Sequence, residues 1–396
     1  MRFLLNERRG HRPDPRIVHG LTKALAACGH DVYVSNVSPG TRPPQVYDGI
    51  DVAIEINQPR DEAVPADIVH IAWVQDYVQG EAPDFGAACC GQDLIYTFGD
   101  GPLIGAPSDR WPNCAGSLLT AADEQLMARA PSPPPDLDFS IVGFIPPSGD
   151  DWWIPRSNFD NWSDHILELF AEMRKAMEGG YGALQGSFAP VAGMDSMRNV
   201  LRACAARWGQ DGAFADKLWG HFEPAAGKFM HEYARLMDRR LLADLALGVS
   251  ESVEFRGWHW DTHPKYARWA RPHVADDETV LRTYERSRIT LHNNIFGFAL
   301  HTRVLEAMAV GTFVMAHPSP NPHAAGRISE TFMPGLHYGE YTPESFAEQA
   351  REWLDDDEAR VIAAIGAQKI VRDRHLWKHR ARQILRDLGI KGAAAA

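Results

Sequence analysis

Four polar residues, His301, Thr302, Arg303 and Glu306, stand in the largely apolar stretch Leu291–Ala316. Together they offer what a nucleoside diphosphate needs. Arg303 carries a planar cationic fork that suits phosphate oxygens. Glu306, one helical turn on, can accept hydrogen bonds from ribose hydroxyls. If His301 and Thr302 open a helix, its first N–H groups and positive dipole end add an anion site. The plainer alternatives are an exposed Arg–Glu pair three residues apart on an ordinary helix and, for Thr302, a simple helix cap.

The surrounding residues decide whether such a helix exists. Leu300, Val304, Leu305, Met308 and Ala309 are apolar at helical spacing. Gly311 follows where a helix ends. Thr312–Ala316 is β-branched, aromatic and uncharged, as a buried parallel strand requires. The segment therefore reads as strand, glycine-bearing loop, helix and strand.

The chain has 396 residues, which favours two domains, and 45% hydrophobic residues, enough for two cores. The formal net charge of -12 argues against a nucleic-acid binder but allows a locally basic pocket. No apolar run approaches the ~20 residues of a membrane span, and the start MRFLLNERRGHR lacks a signal-peptide core, so a cytoplasmic location is expected. Five cysteines, two of them adjacent and none in C-x-x-C spacing, point to structural thiols. No metal site is expected among the 17 histidines.

Strands are expected at Arg2–Leu5, Asp31–Val37, Val52–Ile56, Ile68–Trp73 and Leu94–Phe98, with a helix over Pro15–Gly29. This alternation gives an α/β class with doubly wound, Rossmann-like domains. Residues 1–135 form the expected N-terminal domain, closed by the stiff Pro131–Pro135 linker. Residues 136–375 form a second domain that starts with the strand Phe139–Phe144. A helical insertion interrupts it at about 150–247, with its clearest helices at His165–Met177 and Lys228–Leu247. The insertion serves packing or dimerisation on one reading and acceptor binding on the other. Pro343–Gly389 is expected to be helical, with residues 376–396 crossing back over the first domain and ending in a tail.

The run RVLEAMAVGTFVMA resembles the donor helix and following strand of GT-B glycosyltransferases of the group-1 (GT4-like) type. It is most similar to a CgeB-like bacterial subgroup, in which an arginine precedes the glutamate by three. VEFRGWHW, LRTYERSRITL, FMPGLHYGEY, HLWKHRARQIL and IVHIAWVQDY resemble other segments of that subgroup. The resemblance implies two Rossmann-like domains facing a cleft. It also implies a nucleotide-sugar donor, used as substrate with no cofactor, and transfer to a hydroxyl of a glycan, protein or small molecule. A homodimer is allowed. In such enzymes the base is commonly held by backbone groups, here near His273 and Val274, and Trp258 or Trp260 after Gly257 would stack on a base or line a sugar pocket. The plainer role for a tryptophan is core packing.

One residue departs from the pattern. Many retaining members carry a second glutamate upstream, but here that position is Phe298. An inverting transfer instead needs one general base on the acceptor side. Asp76, at the end of WVQD, is the first candidate, and Glu7 and Asp14 follow; a cap or turn role is the alternative for Asp76. The charged loop Asn6–His11 and the turn Asp100–Gly101 are weaker contributors to a cleft. The expected function is metal-independent transfer of a sugar, with Asp76 and Arg303 catalytic and the donor held by His301, Thr302, Arg303, Glu306, Trp258 and Val274. The rival readings are a nucleotide-sugar epimerase of the same fold and a non-catalytic nucleotide-sugar-binding protein.

Overall fold

The structure is a computed structural model of the whole chain. It describes residues 1–6, 15–35, 37, 43–75, 84–101, 108, 111–129, 134–145, 164–165, 167–173, 175, 190–272, 277–293, 300–318 and 323–390.

Two parallel six-stranded sheets organise these residues. The N-terminal sheet contains β1 (Arg2–Asn6), β2 (Asp31–Ser35), β3 (Val52–Ile56), β4 (Val69–Val74), β5 (Leu94–Thr97) and β6 (Cys114–Ser117), in the order β2-β1-β3-β4-β5-β6. The C-terminal sheet contains β7 (Leu137–Val142), β8 (Val253–Arg256), β9 (Ala270–Arg271), β10 (Ser287–His292), β11 (Phe313–Ala316) and β12 (Gly339–Glu340), in the order β12-β11-β10-β7-β8-β9. Strand β3 is buried at every position and β10 at all but one, the pattern of strands covered on both faces.

Each order places one reversal. The chain runs outward from β7 through β8 and β9, then returns to the other side of β7 as β10. In the first sheet the reversal lies between β1 and β3. At such a point the connections leave in opposite directions and open a crevice beyond the strand carboxyl ends, which is where open parallel sheets bind ligands. Gly143 and Asn293, immediately after β7 and β10, therefore mark the expected crevice of the C-terminal sheet.

The helices that matter here are α1 (Pro15–Ala27), α2 (Phe85–Ala88), α3 (Pro190–Arg207), α4 (Gly212–Leu247), α5 (Asp277–Glu285), α6 (Thr302–Ala309), α7 (Phe346–Asp355), α8 (Asp357–Arg374) and α9 (Trp377–Asp387). Helix α4 begins earlier than the expected Lys228, behind the Asp211 cap, whose carboxylate accepts from the Phe214 N–H at 2.8 Å. Most of the expected His165–Met177 helix is described, and its Leu169, Phe170 and Met173 are buried.

The last helix, α9, packs on α1 and joins the N-terminal core through Trp377, Ala381, Ile384 and Leu385. The Trp377 indole lies against Gly20, where an added Cβ would sit 2.1 Å from its Nε1, and meets Trp73 edge-on at 6.4 Å. Arg380, with its guanidinium buried, donates to the Leu119 and Thr120 carbonyls at 2.8 and 3.0 Å. The chain end thus ties the second sheet back to the first. Replacing Trp377 by Ala should lower unfolding free energy by about 3–5 kcal/mol, read by urea denaturation. A loss below about 1 kcal/mol would show that α9 does not hold the N-terminal domain.

Candidate functional site at the end of the C-terminal sheet

Helix α6 starts as the sequence requires, but with a different cap. His301 is the cap residue, and its Nδ1 accepts from the Arg303 N–H at 3.2 Å. Thr302 is the first helical residue, not the cap. Its hydroxyl instead meets the Thr120 hydroxyl of the N-terminal domain at 2.8 Å. Gly311 closes the helix with a φ of +85°, a conformation glycine adopts without a Cβ penalty.

Arg303 does not lie along the helix surface toward Glu306. Its Nη1 donates to the Val142 carbonyl, the last of β7, and its Nε approaches His301 Nδ1 at 3.4 Å. A second arginine meets it there. Arg239, only 2% exposed, reaches out from α4, donates to the Phe144 carbonyl and contacts Asn293 Oδ1 at 3.3 Å. Gly143 lies between them. A Cβ there would fall 2.5 Å from Arg303 Nη1 and 2.8 Å from Arg239 Cζ, and its φ of +148° also excludes an ordinary side chain. Gly257, after β8, supports the same turn, because a Cβ on it would strike the Gly143 carbonyl oxygen at 2.2 Å. Two guanidinium groups therefore converge at the crevice between β7 and β10.

The neighbours are chosen to leave this positive charge in place. His292, at the end of β10, and His301 face each other at 6.0 Å between ring centroids. Burial, reinforced by the charge of Arg303, holds both imidazoles well below their usual value. They are neutral. Since His301 Nδ1 accepts hydrogen bonds, its proton sits on Nε2. The opposite case is His317, just after β11. Burial opposes its charge, but the Asp238 carboxylate 3.2 Å away outweighs that and raises its value. Asp238 and Arg239 are adjacent on α4, so one helix end anchors the end of β11 with a buried ion pair and delivers an arginine to β7 and β10.

Glu306 is buried, at 6% exposure, so the surface-pair alternative fails. Its carboxylate accepts from Arg16 Nη1 of helix α1 at 3.0 and 3.1 Å. Arg16 also lies 3.6 Å from Asp277 of α5. The carboxylate therefore sits where the two domains meet, and its remaining lone pairs can accept from further hydroxyls.

Two tryptophans follow Gly257 and take different roles. Trp260 is fully buried, stacks on Phe255 at 4.6 Å and donates to the Gly143 carbonyl at 2.5 Å. Trp258 is 56% exposed and stands 6.4 Å from the Phe144 ring, within reach of the crevice. Asp76, Val274, His273, Glu7, Asp14 and Phe298 lie outside the described residues. Strand β4 ends two residues before Asp76, on the carboxyl edge of the N-terminal sheet. At the reversal of that sheet, Asn6 donates to Glu55 at 3.3 Å, and the His70 imidazole lies 3.4 Å from the same carboxylate; all three are buried. Among the described residues no three His, Cys, Asp or Glu side chains stand together as metal ligands would.

Arg239, Asn293, Asp238, His317 and Arg16 are not among the site residues the sequence singles out. Arg239 lies in a long helical stretch whose periodicity points to packing, and no local motif marks it. Arg16 sits after a charged loop. A signal existed only in the adjacency of Asp238 and Arg239 near the end of the insertion.

An open parallel sheet with cationic groups at its reversal point is the class of site that holds phosphorylated ligands. Residues 232–386 match the family described as Glycosyl transferase-like. No curated protein matches the chain by sequence. Two solved structures share its fold at a TM-score of 0.50. One is a glycosyltransferase from Rickettsia africae, 9% identical with 99% of each chain covered. The other is HepE of Anabaena in complex with UDP-glucose, 12% identical over 98% of this chain and 99% of that one. The chain has the GT-B glycosyltransferase fold, and its C-terminal part carries glycosyl transferase-like sequence.

The histidines give opposite pH dependences. His292 and His301 have depressed values, so their contribution to stability is full above the unfolded value near 6.5 and is lost as pH falls through the folded one. His317 has a raised value, so its contribution is full below 6.5 and is lost as pH rises through the folded one. Imidazole NMR should find His292 and His301 neutral at about pH 6, below the unperturbed value, while His317 is still protonated there. Titration of His301 near its ordinary value would contradict the desolvated environment. Gly143→Ala should destabilise the fold by about 1–3 kcal/mol, because both arginines must shift. An unchanged thermal midpoint would show that they do not converge as described.

Proposed function

We propose that this protein is a glycosyltransferase that moves a sugar from a nucleotide-sugar donor to an acceptor hydroxyl in the cleft between the sheets. One observation carries the reading: Arg303 and Arg239 converge on Gly143 at the β7/β10 reversal point, beside the start of α6. The donor diphosphate would lie across Gly143, with the two guanidiniums and the first turn of α6 on its oxygens. As the bond to the sugar breaks, charge grows on the leaving diphosphate. Preorganised cations there stabilise the transition state more than the ground state. Neutral His301 would donate its Nε2 proton to a phosphate oxygen. Glu306, while bonded to Arg16, would accept the ribose hydroxyls, so both domains touch the nucleoside. Trp258 would line the crevice next to the base, and the backbone at Val274 would hold the base edge.

The acceptor chemistry rests on the N-terminal domain. Asp76 is the proposed base, taking the acceptor hydroxyl proton while the hydroxyl oxygen attacks the anomeric carbon from the face opposite the leaving diphosphate. That geometry inverts the anomeric centre. The position that carries a second glutamate in many retaining relatives is Phe298 here, which favours inversion. With two arginines to neutralise the diphosphate, transfer needs no divalent metal. A uridine diphosphate sugar is the first donor to test, since HepE holds UDP-glucose in the same fold.

Three outcomes are expected. Arg303→Ala and Arg239→Ala should each lower kcat roughly 100- to 1000-fold, with Lys restoring only part of the loss. If Arg239→Ala turns over normally, that residue merely braces the β7 turn. Transfer should persist in excess chelator; abolition by chelator and recovery with magnesium or manganese would overturn metal independence. Asp76→Asn should cut turnover about 100-fold or more with donor affinity unchanged, and product NMR should show an inverted anomer. A retained anomer would discard the mechanism, and an active Asn variant would discard only the residue.

A further inference from the structure

Helix α8 covers α6 and β11, and its Ala363, Ala364, Ala367 and Val371 are all buried. Its opposite face is unusual. Val361, Ile362 and Ile365 are 52%, 58% and 60% exposed. The loop after Phe332 widens this patch, with Met333 and Leu336 at 59% and 51% exposure. That loop packs directly beside the helix, since a Cβ on Gly366 would lie 3.0 Å from the His337 ring. These five side chains are large, apolar and clustered, and a patch of that kind on a folded domain marks an interaction surface.

The charges flanking the stripe specify what covers it. Glu358, Ile362, Ile365, Lys369 and Arg372 follow one another at alternating spacings of four and three, so they share one face of α8. The start of that face is acidic and its end basic. Glu358 and Arg372 lie seven residues on either side of Ile365, each about 10 Å from it along the helix. Neither forms an ion pair with another described residue, whereas Asp357 is bound to Arg360 and Lys369 to Asp373.

We propose that α8 is a homodimer face, paired antiparallel with α8 of a second copy about a two-fold axis at Ile365. A two-fold contact must be complementary to itself. Antiparallel pairing meets that condition on both counts. It sets Ile365 against its own copy with Ile362 beside it, and it sets Glu358 of each chain against Arg372 of the other. A parallel pairing would oppose like charges at both ends. A basic or acidic foreign partner would satisfy only one end. Met333 and Leu336 extend the contact beyond the two helices, and the small area makes this a weak, concentration-dependent dimer.

Sedimentation velocity on the full chain tests this. Wild type should pass from monomer to dimer as concentration rises, and Ile365→Asp should remain monomeric with an unchanged circular dichroism spectrum. Glu358→Arg and Arg372→Glu should each weaken self-association at least tenfold, because each puts like charges together at both ends. Mixed in equal amounts, these two variants should form a heterodimer. One then carries arginine at both ends of its stripe and the other glutamate at both ends, so only the mixed pair brings opposite charges together. A monomeric wild type at high micromolar concentration would overturn the proposal. So would a dimer indifferent to Ile365→Asp, or a mixture that associates no better than its components.

Discussion

The end of the C-terminal sheet depends on holding two like charges together beyond one strand. Arg303 and Arg239 come from different helices, and their guanidiniums meet within van der Waals reach of the same glycine. In water such groups would separate. Here each is fixed by a carbonyl at or just beyond the end of β7, and Arg239 is further fixed by Asn293 after β10. A tightly turned glycine pair, Gly143 and Gly257, makes room for both. Removing any of these supports would let repulsion drive the arginines apart. An anion placed between them would relieve the same repulsion.

The rest of the C-terminal domain can be understood from that requirement. Two histidines that could have added charge are kept neutral by burial next to Arg303. His317, whose value is raised instead, is matched by Asp238 and sits one strand farther out. The insertion also reaches the end of the C-terminal sheet, because the last turns of α4 supply both Asp238 and Arg239. Glu306 carries the site across the domain boundary through Arg16, and Thr302 does so through Thr120. Helix α6 is thus fastened to both domains, while α9 fastens the chain end to the first.

Much of this is legible in the sequence. Uncharged β-branched runs mark the strands that alternate with helices, and β3 falls on the expected Val52–Ile56. Apolar spacing and Gly311 mark helix α6. Strands β6 and β12 carry no such mark, because CAGS and GE have neither the length nor the side chains of a strand; sheet pairing alone makes them strands. Threonine is the commoner cap and points to Thr302, whereas the His301 ring is what reaches the N–H. Arg303 and Glu306 stand out as polar residues on an apolar helix, but the alternative that they pair with each other fails. Their partners, Val142 and Arg16, lie far away in sequence. Arg239 is illegible for the same reason: a long-range contact leaves no periodic trace.

The direct test of the central claim is calorimetric titration of the full chain with a nucleoside diphosphate and the matching monophosphate. If paired arginines at Gly143 are built for a diphosphate, the diphosphate should bind at least about tenfold more tightly, a difference of roughly 1.4 kcal/mol, and the gap should close in an Arg239→Ala variant. Equal affinity of the two nucleotides for the unaltered protein would contradict the account.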